Sequence, residues 1–127
     1  MFAHRNPQET YRRIEFDARV EASSPAQLVT LCYEQACDAM ASALFAHDSG
    51  NNLAKSQAIT KALAAITALQ LGVNGEEGVS AALRQFYASV RRALLDCALK
   101  FDAETIAAMR RDLHEIAGAL TSDKTNS

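Results

Sequence analysis

The chain has 127 residues and a formal net charge of -2, enough length for one domain with a single core and too little charge bias for a nucleic-acid or anionic-membrane binder. Arg12-Arg13, Arg91-Arg92 and Arg110-Arg111 each lie among Glu or Asp and read as solvated faces, not a basic stripe. With three cysteines but no C-x-x-C pair, a polar start from Met1 to Tyr11, and no apolar run near the ~20 residues of a membrane span, the chain is expected to be cytosolic, with free thiols and no membrane insertion.

Residues 1–24 hold Tyr11, Ile14, Phe16 and Val20 without a strong period and read as an N-terminal arm. Four helices follow in 25–122. The first runs from Pro25 to about Asp48. Ser24 is its N-cap, Pro25 suits the first helical position, and Gln27 completes a capping box. The stretch "HDSGNN" stops it, with Gly50 as terminator and Asn51 or Asn52 able to cap the next helix, about Leu53 to Leu71. The three glycines of "GVNGEEG" make a loop before a third helix, about Val79 to Lys100. Asp102 caps a fourth, which runs to about Leu120, and residues 123–127 form a disordered polar tail.

The third helix repeats apolar residues at Leu83, Phe86, Val90, Leu94, Cys97 and Phe101, and the fourth at Ile106, Met109, Leu113, Ile116 and Leu120. Alternating steps of three and four belong to helices packed near 20° in a bundle. Short connections make sequential helices antiparallel neighbours, so the expected fold is all-α, an antiparallel up-down four-helix bundle with an N-terminal arm.

The first helix is apolar over about 180°, wider than the arc of a little over 100° that a bundle helix commonly shows. Leu28, Cys32, Ala36, Ala39 and Ala43 form one stripe, and Val29, Tyr33, Cys37, Met40 and Leu44 a second beside it. The second helix is alanine-rich nearly all round, which lets another backbone come close. Two readings of the wide face stay open: Tyr33 and Met40 are core, or they wall a groove for a partner helix or for the arm.

Nothing points to catalysis. The Glu-x-x-His pairs of di-iron bundles are absent: Leu44 stands three before His47, and Arg111 three before His114. Cys32 and Cys37 lie about 140° apart around one helix and cannot share a metal. "GVNGEEG" lacks the G-K-S/T of a phosphate loop. No enzyme activity, metal or cofactor is expected.

These features resemble the flagellar secretion chaperones called FliS. The family's "SP-x-QL", followed by apolar residues, an aromatic and an alanine, is matched by Ser24, Pro25, Gln27, Leu28, Val29, Leu31, Tyr33 and Ala36. Tyr11, Ile14 and Val20 resemble the family's arm. "KALAAI" resembles "KA-x-x-II", and "FYASVRRALLDCALKFD" places Phe86, Tyr87, Arg92, Leu94, Leu95 and Asp102 on family positions. Ser89, Ala98 and Leu120 replace the family's tyrosine, asparagine and tryptophan, and a lone Gly78 stands for its "GGE".

The resemblance implies a cytosolic chaperone that binds the disordered C-terminal segment of flagellin, prevents premature polymerisation and supports export for flagellum assembly, without cofactor or ATP hydrolysis. The expected contacts are Val29, Tyr33, Ile59, Leu63, Tyr87 and Leu94. Tyr11, Ile14, Phe16 and Val20 are expected to cap the groove until client displaces them. The export apparatus or a flagellar regulator stays open as a second partner. Rival readings are a helical adaptor, a homodimerising structural bundle and a chaperone for hook-associated proteins.

Overall fold

A computed structural model describes residues 7–22, 24–75 and 77–125, with side chains described over 10–19, 24–75 and 77–120. The described chain is all-helical: α1 (Pro7–Ala22), α2 (Pro25–Asp48), α3 (Asn52–Leu71), α4 (Val79–Leu99) and α5 (Ala103–Thr125).

Local chemistry sets the boundaries. The capping box forms as the sequence leads one to expect: the Gln27 amide N–H donates to Ser24 Oγ at 3.3 Å, and the Ser24 N–H donates to Gln27 Oε1 at 2.8 Å. After Ser49 the chain reverses through Gly50 at φ 71°, a conformation that a side chain would strain. Of the two asparagines that could cap α3, it is Asn51 whose Oδ1 accepts the Ala54 N–H, at 3.0 Å. The α3–α4 loop, in which Glu76 lies outside the described residues, is tied down by Ser80 Oγ donating to the Asn74 carbonyl at 2.6 Å and Arg84 Nη2 donating to the Val73 carbonyl at 2.8 Å. Asp102 Oδ1 accepts the N–H groups of Glu104 and Thr105 and starts α5. Hydrogen bonds from Thr105 hold the Asp102 carboxyl below its ordinary range. α5 continues to Thr125, beyond the end of its apolar period at Leu120; residues 126 and 127 of the expected tail lie outside the described residues.

The arm differs from expectation. Its described part is one continuous 16-residue helix rather than an aperiodic segment. Pro7 suits a first helical position, and Glu9–Arg13 and Glu15–Arg19 have the i,i+4 order that supports a mostly polar helix.

The core comes from α2 to α5. Met40, Ile66, Leu94, Ile106 and Leu113 are fully enclosed, so each of the four helices contributes. α2 packs most extensively on α3; α3 packs on α4, α2 on α5, and the α4–α5 contact is thin. The α2–α3 seam is made of alanines, Ala36, Ala39, Ala43 and Ala46 against Ala58, Ala62 and Ala65, all buried. Methyl side chains let the two backbones approach, and the seam seals by close contact rather than bulk. At one end Phe101 fills the junction. His47 stacks on its ring at 4.4 Å, and Lys55 Nζ sits 4.8 Å from the ring centre.

Candidate functional site

The wide apolar face of α2 has two neighbours to satisfy. Because α2 meets α3 on one side and α5 on the other, both stripes turn inward beyond its first turn, burying Ala36, Ala39 and Ala43 from one and Tyr33, Cys37 and Met40 from the other. Between the two readings of Tyr33 and Met40, the structure places both in the core. The Tyr33 hydroxyl does not reach solvent. It lies 2.6 Å from the Tyr87 hydroxyl in a buried pair, with the rings edge to face. Burial raises both phenols above their ordinary pKa, and raises the Cys32 and Cys37 thiols likewise.

Of the six expected contacts, Tyr33, Ile59, Tyr87 and Leu94 are buried and Leu63 is half-buried. Val29 is exposed, in the first turns of α2 before the core closes. The six are thus not one open surface: Tyr33, Tyr87 and Leu94 belong to the main core, and Ile59 to a smaller cluster with Ala43 and Ala58.

The open surface lies on the outside of the α2–α3 seam, beneath α1. Arg12, Arg13, Phe16 and Asp17 of α1 face Asp38 of α2 and Lys61 of α3 across a cleft of about 670 Å3, whose floor includes Ala39 and Ala58. Arg19 pairs with Glu34 of α2, Nη2 to Oε2 at 3.3 Å. Phe16 is half-buried there, whereas Tyr11 and Ile14 are 77% and 64% exposed on the other side of α1. The Val20 side chain lies outside the described residues. Past the arm, Ser42 and Ala54 lead into a second recess of about 410 Å3 walled by Ala41, Phe45 and Ala46. Phe45 is 75% exposed beside it, and Leu53 71%.

Phe45 and Leu53 escaped the sequence reading because both lie next to a helix end, where an apolar residue off the seam looks incidental. The signal was there: Phe45 falls one residue, about 100° of rotation, beyond Leu44 at the end of its stripe. Among the described residues no group of three or more His, Cys, Asp or Glu could hold a metal ion, and no helix is long and apolar enough to cross a membrane.

This geometry defines a class: an all-α protein with an open furrow on the flank of its core, partly covered by a helix of its own. The chain matches the family model described as flagellar protein FliS over residues 7–122, and it belongs to that family. The matched range takes in α1 as well as the core helices. A relative, the flagellar secretion chaperone FliS of Salmonella typhimurium, is 29% identical over 114 residues, covering 87% of this chain and 84% of its own.

Proposed function

We propose that this protein is a non-enzymatic export chaperone of the cytosol that holds the disordered C-terminal segment of flagellin, unpolymerised, until export. Its core helices form an antiparallel up-down four-helix bundle, and the client folds into helices along the bundle's flank. The observation that carries this reading is the furrow outside the α2–α3 seam, polar where α1 covers it and apolar in the open recess beside Phe45, on a chain of a secretion-chaperone family. A segment that orders on binding has to offset that cost with buried apolar area, at ~25 cal/mol per Å2. A rigid core with a preformed furrow adds little ordering cost of its own.

Val29 and Leu63 are the expected contacts that already offer surface. Tyr33, Ile59, Tyr87 and Leu94 act from beneath, by setting the shape of the wall. α1, with Tyr11, Ile14, Phe16 and Val20, is the cap that client displaces.

The test is a titration with the C-terminal segment of flagellin from the same organism, followed by size-exclusion chromatography. A monomer that shifts to a one-to-one complex is the expected result. A stable dimer indifferent to the segment would instead identify a homodimerising structural bundle. Selective binding of a hook-associated protein's segment would move the client to that class.

A further inference from the structure

The sign of charge is divided between helices. α2 carries Glu34, Asp38 and Asp48 with no Lys or Arg, whereas α4 carries Arg84, Arg91 and Arg92 against Asp96 alone. At 100° per residue, the three arginines fall with Ala88, Leu95 and Leu99 within about 100° on one side of α4, clear of the stripe that it buries. Ala88, Arg91 and Arg92 are exposed, Leu95 is 40% exposed and Leu99 91%. Solvation accounts for exposed arginines but not for two leucines one turn apart beside them.

The arginines of this side lack strong partners. Arg92 lies 3.8 Å from Asp96 in a pair exposed on both sides, which holds it weakly. Arg84 Nη2 donates to the Val73 carbonyl, but Arg84 Nε is enclosed and has no acceptor among the described residues. A desolvated guanidinium N–H without an acceptor costs free energy that a carboxylate would recover.

We propose that this side of α4 is a second docking surface, whose occupant is an acidic amphipathic helix of a partner other than the client. Arg84 takes a carboxylate side-on through Nε and Nη2, with Nη2 leaving the Val73 carbonyl. Arg91 and Arg92 face further acids, and Leu95 and Leu99 meet an apolar pair spaced by one turn. Arg84 and Leu99 stand fifteen residues apart on one helix, ~22 Å, so the occupant needs about four turns. Charge selects it. A second copy seated by a two-fold axis would set arginines against arginines, and a basic helix would be repelled. The surface lies outside the α2–α3 furrow, and the inference does not depend on the client reading.

The test uses the full chain and a synthetic helical peptide of about 18 residues, with leucines at i,i+4 spacing and glutamates beside them on an alanine background. A twin peptide has lysine at every glutamate. The acidic peptide should bind wild type and shift amide resonances of residues 84–99. R91E/R92E should weaken it at least ~5-fold, and L95A/L99A at least ~3-fold. R91E/R92E should also come to prefer the lysine peptide, a reversal that a merely structural role would not produce. Arg91 and Arg92 are exposed, so this variant should melt like wild type. Equal binding of the two peptides by wild type, or resonance shifts away from α4, overturns the surface. Wild type that sediments with phosphatidylserine vesicles while ignoring the acidic peptide overturns it in favour of a lipid occupant. The flagellin C-terminal segment should bind R91E/R92E as it binds wild type. A loss there equal to that of the acidic peptide overturns the separate partner and makes α4 part of the client site. If the flagellin segment binds neither form, the client reading fails while the peptide comparison still decides the α4 surface.

Discussion

Two contacts that flank the same helix are built in opposite ways. The α2–α3 seam is a file of buried alanines without a charge in it. The α1 contact on its outer side carries ion-pairing groups and one aromatic over a cleft that stays open. Alanine against alanine loses almost no side-chain freedom and excludes water, so it holds two helices permanently. Arginines against carboxylates at the surface gain little over their hydration and hold a helix reversibly. One helix, α2, therefore carries a tight apolar contact on one side and a loose charged one beside it.

The seam and the core behind it should break most expensively. Leu94→Ala opens a cavity where all the core helices meet and should cost ~2–5 kcal/mol in a denaturant melt. Ala62→Leu forces the seam apart and should cost ~1–3 kcal/mol by overpacking.

Next comes the buried phenol pair. Tyr33→Phe leaves the Tyr87 hydroxyl enclosed without its partner and should cost ~1–2 kcal/mol, while Y33F/Y87F removes both groups and should recover most of that loss. The pair also sets an alkaline limit. Burial raises both phenols above the ordinary value of 10.0, so the unfolded chain releases these protons first as pH rises. Their contribution is whole below pH 10 and drains away above it, as the pH climbs toward the folded-state values. Above pH 10 the stability of wild type should therefore fall faster than that of Y33F/Y87F, which has neither phenol to ionise; parallel alkaline melts would count against the buried pair.

Ser24→Ala removes the α2 capping box and should cost ~1 kcal/mol, between core and arm in size. The smallest effect belongs to the arm. Arg19→Ala should change global stability by less than ~0.5 kcal/mol, because the Arg19–Glu34 pair is exposed on both sides. Deleting residues 1–18 should leave the melt nearly unchanged and tighten client binding. A deletion that unfolds the protein would mean that α1 is a permanent part of the fold.

The sequence showed much of this fold. The third and fourth predicted helices have single apolar seams, and residues such as Val90, Leu94, Ile106 and Leu113 are buried where that period puts them. The capping box at Ser24 and the Asp102 cap were readable because capping depends on a few adjacent residues. α1 was not, because its few apolar residues are outnumbered by charged ones, and a helix so polar looks like a solvated segment. The candidate contacts were legible as apolar residues but not as surface: Tyr33 and Val29 lie on the same stripe of α2, yet one is buried and the other open.

That difference marks the division of labour. Helix boundaries and apolar faces follow from neighbours within one or two turns, so the sequence alone determined them. Which part of an apolar face remains open depends on how many helices pack against it, a long-range matter that periodicity does not encode. Only the tertiary structure decided that α2 satisfies both α3 and α5. Only it placed Glu34 and Asp38, unremarkable acids on a helix surface, opposite three arginines more than a dozen residues earlier in the chain.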